Sequence, residues 1–277
     1  MKHIALPSGE RVPALGMGTW MLGENGARRR EEVDALQYGI ELGMSLIDTA
    51  EMYGEGESEK LVGEAIRGRR DQVFLVSKVY PYNAGRKAAL AACERSLKRL
   101  GVDCLDLYLL HWRGNVPLAE TIEAFERLRT QGKIRHWGVS NFDLDDLQEW
   151  CNTPGGDTVA VNQVLYNLSR RGIEWDLLPW CQARKIPLMA YSPVEQSRLL
   201  NHLGFCTLAR QHGFTPAQLA LAWLLRLNGV VAIPKASTRQ HLADNFSALQ
   251  CELDATVLAA LDRLFSPPKR ATPLEML

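Results

Sequence analysis

Four polar residues in the first half of the chain could together perform acid–base chemistry. Asp48, Lys78 and His111 each close a short apolar run, in SLID, VFLVSK and LDLYLLH, and Tyr53 follows Asp48 by five residues. Apolar runs that end on a titratable residue are typical of buried parallel strands whose carboxyl ends carry the chemistry. A carboxylate, a phenol, an amine and an imidazole on one rim could deliver a proton to a carbonyl oxygen.

Tyr53 needs help to act as an acid, because the reference pKa of tyrosine is about 10. Lowering that pKa to about 7 takes roughly 4 kcal/mol of preferential phenolate stabilisation. A lysine ammonium about 4 Å away supplies about that amount at an effective dielectric of about 20. We therefore predict that Lys78 lowers the pKa of Tyr53, that Asp48 keeps Lys78 charged, and that His111 aligns the substrate oxygen. A purely structural Asp48–Lys78 ion pair is the strongest alternative.

The apolar runs also predict the fold. Eight of them read as strands, at 15–20, 45–49, 73–79, 105–111, 135–140, 159–164, 187–192 and 230–235. Helical patterns such as Val33, Leu36 and Ile40 lie between them. One strand–helix unit per roughly thirty residues, with an insertion before the last strand, predicts an α/β fold. We expect a (β/α)8 TIM barrel, a single domain over 1–277, with an N-terminal β-hairpin around the turn PSGE.

A doubly wound Rossmann sheet is the alternative architecture. It requires a glycine-rich phosphate turn after the first strand. Both LGMGTW (15–20) and GEGESE (54–59) lack the third glycine of that turn. A nucleotide would therefore be held in another way.

The composition narrows the classes of partner. The 32 lysines and arginines balance 32 aspartates and glutamates, so no basic field attracts nucleic acid or an anionic membrane surface. Six scattered cysteines without a CxxC pair predict buried, reduced thiols and no metal site. The N-terminus lacks a signal-type apolar core, and no run is long enough to span a membrane. We therefore expect a cytoplasmic protein. We also expect a monomer, since a closed barrel has no free strand edges.

Six motifs resemble those of the aldo-keto reductase superfamily: DTAEMYG, LDLYLLHW, GVSNF, NQVLYN, AYSP and IPKAST. They occur in order between Gly16 and Asn245, and the short loops resemble those of bacterial members. The resemblance implies a TIM barrel that transfers a hydride between a nicotinamide cofactor, usually NADPH, and a carbonyl. It makes Tyr53 the general acid, Lys78 and Asp48 the groups that tune its pKa, and His111 the group that orients the substrate.

The resemblance also implies the cofactor contacts. Ser140, Asn141 and Gln163 match residues that hold the nicotinamide carboxamide, whose hydrogen bonds amide side chains can both donate and accept. Tyr191 matches the aromatic residue on which the nicotinamide stacks. The loop from Ser192 matches one that covers the pyrophosphate. The full implied set is Gly18, Thr19, Trp20, Asp48, Ser140, Asn141, Gln163, Tyr191, Ser192, Pro193, Val194, Ile233, Lys235, Ser237, Thr238, His241 and Asn245.

The chain departs from the family pattern near the adenosine 2′-phosphate, which Lys235, Ser237 and Thr238 are implied to hold. Family members commonly have Ser or Thr where this chain has Ala236, and Arg where it has His241. An arginine grips phosphate bidentately, and a mostly neutral imidazole is a weaker partner. We still expect NADPH to be preferred, with NADH as a weaker alternative, because Lys235 brings a full positive charge.

The predicted substrate is a small carbonyl compound. By their spacing from the site residues, Trp20, Met52, Tyr80 and Trp112 would ring the pocket mouth. An apolar pocket favours hydrophobic or small aldehydes and ketones. Short loops, and a short irregular tail after Phe265, predict an open pocket and broad carbonyl reduction that includes 2-oxoaldehydes.

Three other functions would make different demands on the sequence. A keto-sugar-acid (diketogluconate-type) reductase would want extra cations in the pocket, for which Arg113 is the only obvious candidate. A non-catalytic NADP-binding regulatory barrel would not need the intact group of four polar residues. A metal-dependent barrel hydrolase would need clustered ligands, and only Asp48 and His111 qualify.

Overall fold

The computed structural model describes residues 1–277, and its centre is a sheet of eight parallel strands. The strands are β1 His3–Ala5, β2 Arg11–Pro13, β3 Met17–Gly18, β4 Leu46–Asp48, β5 Phe74–Val79, β6 Leu105–Leu110, β7 Ile134–Ser140, β8 Asn162–Leu165, β9 Leu188–Tyr191 and β10 Val230–Ala232. The helices are α1 Arg29–Glu41, α2 Glu57–Ala65, α3 Arg86–Leu100, α4 Leu118–Thr130, α5 Leu144–Asn152, α6 Leu177–Ala183, α7 Leu203–Gln211, α8 Pro216–Leu225, α9 Arg239–Ser247 and α10 Ala255–Leu264.

Strands β3 to β10 pair in chain order, each parallel to the next. The first and last of them meet through the bridges Leu15–Ala232 and Gly18–Lys235. The sheet therefore closes on itself, and the predicted TIM barrel is confirmed. The predicted N-terminal hairpin is confirmed as well, because β1 and β2 pair antiparallel outside the barrel.

The seam between β3 and β10 depends on a glycine. The Gly18 amide donates to the carbonyl of Pro234 at 3.0 Å. A Cβ added at Gly18 would lie 2.8 Å from the backbone oxygen of Ile233. Only a residue without a side chain allows the two strands this close approach.

The strand interiors are apolar because helices cover them on one side and the barrel interior fills the other. Every residue of β5 and of β6 is buried. Helix α3 buries one face, where Ala89, Cys93 and Leu97 lie, whereas α8 is buried on all sides from Leu219 to Leu225. All six cysteines are free, but only Cys93 and Cys181 are buried as predicted, and the other four are partly exposed.

Two segments follow the barrel plan only loosely. Helices α7 and α8 both lie between β9 and β10, and they account for the insertion predicted there. The tail after Phe265 is irregular, as predicted, and it packs back against the barrel through an ion pair between Arg170 and Glu275. No helix has the length and apolar character needed to cross a membrane.

Candidate active site

Three neighbouring strands position three titratable side chains of the site. Asp48 is the last residue of β4, Lys78 lies near the end of β5, and His111 directly follows β6. The carboxyl ends of these strands share one rim, because β4, β5 and β6 pair in parallel. Tyr53 begins a short 3-10 turn just after β4 and returns over the same rim.

Lys78 is the centre of the group. Its side chain is fully buried, and Nζ donates to Asp48 Oδ2 at 2.8 Å, to the Thr49 carbonyl at 2.8 Å and to Tyr53 Oη at 3.0 Å. An ammonium has three protons, so all three are engaged. The second oxygen of Asp48 accepts from Gln163 Nε2 at 2.7 Å. The structure thus brings Asp48, Tyr53 and Lys78 together by direct contact.

The electrostatics of Tyr53 differ from the prediction. Burial raises the pKa of the Tyr53 phenol above its ordinary value of 10.0; the Lys78 ammonium opposes this rise and the Asp48 carboxylate adds to it. The prediction that Lys78 brings this pKa to about 7 is therefore wrong for the protein without ligands. It counted the lysine charge and left out the desolvation of the phenolate. Tyr53 holds its proton at neutral pH.

Lys78 is charged, whereas His111 is neutral. Burial disfavours the Lys78 ammonium, but Asp48 and Tyr53 outweigh it and raise its pKa, so Lys78 stays charged. Burial and the Lys78 charge hold the pKa of His111 well below its usual 6.5. The imidazole is therefore neutral at physiological pH. Its buried Nδ1 has no hydrogen-bond partner within the chain.

A cavity of about 500 Å³ opens above these groups. Its lining includes Tyr53, His111 and Asp48, together with the predicted pocket residues Trp20, Met52 and Trp112. It also includes the predicted cofactor residues Gly18, Thr19, Ser140, Asn141, Gln163, Tyr191, Ser192, Pro193, Val194, Ile233 and Lys235. Most of the predicted site thus shares one cavity, which runs from Tyr53, the predicted proton donor, to Lys235 at the β3–β10 seam.

The amide side chains in this cavity are held in fixed orientations. Gln163 Nε2 donates to Asp48 and lies 2.9 Å from Met189 Sδ, so its oxygen is left to accept from a ligand. Asn141 Nδ2 donates to the His111 carbonyl at 3.1 Å, and its Oδ1 accepts from the Tyr191 hydroxyl at 2.9 Å. A fixed amide pair beside an aromatic ring and an unpartnered imidazole fits a nicotinamide with a carbonyl substrate.

Six predicted residues lie outside the cavity lining. One is Lys78, whose fully buried side chain lies beneath the cavity. Tyr80 is another: its ring packs edge-on against Trp112 at 5.7 Å, stacks on Tyr82 at 4.7 Å and lies 6.5 Å from the His111 ring. Its place in the substrate pocket stays a prediction. The other four, at the predicted adenosine end, are Ser237, Thr238, His241 and Asn245.

The adenosine end has its own contacts. Thr238 caps α9 by accepting from the His241 amide at 3.2 Å. Asn245 and Ser237 are buried, whereas His241 and Lys235 are exposed. Arg28, from the turn before α1, donates from Nη2 to Ser237 Oγ at 2.9 Å. The sequence analysis did not include Arg28 in the site.

The cavity also includes residues that the sequence did not indicate. Met276 and Leu277 of the tail line it, as do Met21, Gln196 and Ser197. The last two extend the loop that Ser192 begins, so the family pattern could have found them. No local signal marks the two tail residues, because they arrive from the far end of the chain.

The loop after β9 is preorganised by strain and by a buried carboxylate. Its left-handed non-glycine residues are Ser192, Glu195, Gln196 and Ser197. Such backbone costs on the order of 1 kcal/mol per residue and persists only where surrounding contacts hold it. Here the contacts centre on Glu195, which accepts from Asn167 Nδ2 at 2.7 Å and from Arg170 Nη2 at 2.8 Å. Arg170 also pairs with Glu275 of the tail.

Comparisons with known proteins agree with this geometry. The chain matches the sequence model of the aldo/keto reductase family over 14–203 and 202–265. The methylglyoxal reductase YeaE of Escherichia coli (strain K12) is 52% identical over 280 residues, covering 99% of each chain. The glyoxal reductase of Bacillus subtilis (strain 168) is 35% identical, covering 94% of this chain and 92% of that one.

A solved structure is similar over the whole chain. It is an aldo/keto reductase from Klebsiella pneumoniae in complex with NADP and acetate. The two chains are 52% identical, with a TM-score of 0.97. The likeness covers 100% of this chain and 99% of that chain.

Proposed function

The chain belongs to the aldo/keto reductase family of NADP(H)-dependent oxidoreductases, and we propose that it reduces small aldehydes and ketones, including 2-oxoaldehydes, with Tyr53 as the proton donor. The observation that carries this proposal is the buried Lys78 ammonium. It donates to both Asp48 and Tyr53, at 2.8 and 3.0 Å, beneath a cavity with apolar walls. Such an arrangement suits proton delivery to an oxygen that is becoming an alkoxide.

The proton comes from Tyr53. Bound NADPH supplies the hydride that adds to the substrate's carbonyl carbon. The protonated phenol of Tyr53 gives its proton to the carbonyl oxygen as negative charge grows there, and the product is an alcohol. The phenolate left behind lies one hydrogen bond from the Lys78 ammonium, which stabilises it. Asp48 keeps that ammonium charged and oriented.

His111 orients the substrate. Its imidazole is neutral, so one ring nitrogen carries a proton and can donate to the carbonyl oxygen. The ring lies edge-on to Tyr53, with centroids 5.8 Å apart. A single oxygen can therefore lie between the two donors. A neutral donor suits this place, because an imidazolium would repel the adjacent Lys78.

The cofactor is held on the other side of the same rim, at the carboxyl ends of β7 to β10. Asn141 and Gln163 offer fixed amide groups to a carboxamide, and the Tyr191 ring offers a face for stacking. The loop from Ser192 to Ser197 encloses the middle of the cofactor. Lys235 provides positive charge at the phosphate end, which favours NADPH over NADH.

The substrate class follows from the pocket walls. Trp20, Met52, Trp112 and the tail residue Met276 provide apolar surface near the donors. Such walls accept small or hydrophobic carbonyl compounds. The names of the Escherichia coli and Bacillus subtilis relatives, methylglyoxal and glyoxal reductase, support 2-oxoaldehydes as a starting point.

The rival functions find less support. Arg113 is held by Glu149 at 2.7 Å and Asp146 at 3.0 Å and does not line the cavity. A keto-sugar acid would therefore meet no cation other than Lys235, which is assigned to the cofactor phosphate. Both oxygens of Asp48 are committed to Lys78 and Gln163, which disfavours a metal-ligand role. A non-catalytic regulatory barrel would not need the contact between Lys78 and Tyr53. The single domain, the cytoplasmic location and the monomeric state stay predictions.

A panel of carbonyl substrates tests the proposal. NADPH consumption would be followed with methylglyoxal, an aromatic aldehyde, a simple ketone and a keto-sugar acid. We expect turnover of the first three and little turnover of the sugar acid. NADPH binding without turnover of any carbonyl compound would favour the regulatory barrel, and a preference for the sugar acid would reverse the substrate class.

A further inference from the structure

The phosphate end of the cofactor groove lacks the arginine that the family pattern places on α9. His241 stands at that position, is exposed, and its ring makes no hydrogen bond within the chain. Arg239 is also on α9, but Asp34 engages it through two hydrogen bonds of 2.6 and 2.5 Å. Helix α9 therefore offers no free guanidinium to a phosphate.

A guanidinium reaches the phosphate end of the groove from the other side of the barrel seam. Arg28 ends the turn Gly26–Arg28 after β3, and its Nη2 donates to Ser237 Oγ at 2.9 Å. Ser237 is 7% exposed, whereas the Arg28 side chain is 44% exposed, so the rest of the guanidinium faces solvent. Its one ionic partner is Glu31, at 3.6 Å on the surface.

We propose that Arg28 and Lys235 together bind the adenosine 2′-phosphate of NADPH, with Arg28 supplying the guanidinium that α9 lacks. This inference rests on the proposed function and deepens it, since it names the residue that sets the choice between NADPH and NADH. The phosphate is the only group that distinguishes the two cofactors, and a guanidinium binds phosphate through paired hydrogen bonds. The bond to Ser237 holds Arg28 in place before the cofactor arrives, which lowers the ordering cost of binding.

Binding measurements on Arg28→Gln test this assignment. Dissociation constants would be measured by calorimetry for 2′,5′-ADP and by tryptophan fluorescence for NADPH and NADH. We expect 2′,5′-ADP and NADPH to bind about tenfold to a hundredfold more weakly, as for the loss of charge-assisted hydrogen bonds. NADH binding should change by less than about twofold, because NADH has no 2′-phosphate.

Two further variants sharpen the test. Arg28→Lys keeps the charge but loses the paired geometry, so its NADPH affinity should fall between those of the unmodified protein and Arg28→Gln. Arg30→Gln is the matched control, because Arg30 is an exposed arginine two residues further along the chain. It should bind both cofactors as the unmodified protein does. Thermal unfolding of each variant would establish that the fold is intact.

A failure of the Arg28 inference can be distinguished from a failure of the proposed function. If Arg28→Gln is folded and weakens NADPH and NADH alike, or neither, Arg28 does not read the 2′-phosphate, and the inference is overturned while the reductase proposal stands. If the unmodified protein binds neither NADPH nor 2′,5′-ADP, the proposed function fails and the assignment of Arg28 falls with it.

Discussion

Gln163 and Asp48 are joined by a hydrogen bond of 2.7 Å, from Nε2 to Oδ1, although they lie on β8 and β4 of the barrel. The other oxygen of Asp48 accepts from Lys78. One carboxylate therefore fixes both the ammonium behind the proposed proton donor and the amide that we propose faces the nicotinamide. In the proposed mechanism, the proton donor and the hydride donor are therefore aligned through a single side chain.

Asp48→Asn should weaken the fold. It keeps the shape of the side chain but leaves the Lys78 ammonium buried without a counter-charge. Removing one partner of a buried pair costs about 3–5 kcal/mol, and the remaining bond to the Thr49 carbonyl places the expected loss near 3 kcal/mol. Urea unfolding measures the loss. Asp34→Asn, which breaks an exposed pair with Arg239, is the control and should have little effect. An unchanged urea midpoint for Asp48→Asn would show that the buried charge is tolerated.

Tyr53→Phe should remove the proposed acid and leave the rest of the pocket in place. General acid catalysis contributes about 10²–10⁴-fold, so kcat/KM for carbonyl reduction should fall by at least about a hundredfold. The dissociation constant of NADPH should hardly change, since no cofactor contact is assigned to the hydroxyl. Steady-state kinetics and fluorescence titration on the same preparation would check both. Retained turnover would mean that another group delivers the proton.

The pH dependence of carbonyl reduction should be flat across the neutral range. Burial holds the pKa of Tyr53 above 10.0, so the acid keeps its proton until the pH rises through that raised value. Burial and Lys78 hold the pKa of His111 well below 6.5, so it stays neutral over the same range. Thus kcat/KM at saturating NADPH should be constant from about pH 6.5 to about pH 10 and fall only above it. A falling limb near pH 7 would show that bound cofactor lowers the pKa of Tyr53.

Gly18→Ala should destabilise the protein at the barrel seam. The added methyl would lie 2.8 Å from the Ile233 carbonyl, and backbone cannot move aside as a flexible side chain can. Overpacking of this kind costs about 1–3 kcal/mol. Gly85→Ala is a suitable control, since its nearest neighbour would be a side-chain oxygen of Glu120 at 3.6 Å. Equal melting temperatures for the two variants would contradict the close approach.

Met276→Ala should widen the pocket toward larger substrates. Met276 lines the cavity and is half-exposed, so shortening it relieves steric exclusion of a large substrate by about 1 kcal/mol, or about fivefold in relative kcat/KM. The ratio for a bulky aromatic aldehyde over methylglyoxal should rise by about that factor. An unchanged ratio would place Met276 away from the bound substrate.

The rim of the barrel was predictable because it follows from local pattern. Asp48, Lys78 and His111 each end an apolar run, and parallel pairing of adjacent strands brings such ends together whatever the details of packing. The alternation of strands with helical segments predicted the barrel in the same way. The short motifs added Asn141 and Gln163 as predicted cofactor residues, since their order along the chain already matched the family.

What could not be predicted depends on contacts between distant parts of the chain. Arg28 and Ser237 are 209 residues apart, and nothing near either one marks the other. Met276 belongs to an irregular tail whose path is set by the ion pair of Arg170 with Glu275. The raised pKa of Tyr53 was missed for a related reason, because desolvation depends on everything that surrounds the phenol and not on its nearest charge.

The seam that closes the barrel has a thermodynamic consequence. Gly18 bridges Lys235 there, and Arg28 and Ser237 meet beside it, so the proposed phosphate site exists only once the first and last barrel strands have joined. A ligand that binds only this joined state adds its binding free energy to the folding equilibrium. At about 100 times its dissociation constant, that linkage is worth about 2.7 kcal/mol. The cofactor concentration would then act on the folded fraction of the chain as well as on its turnover.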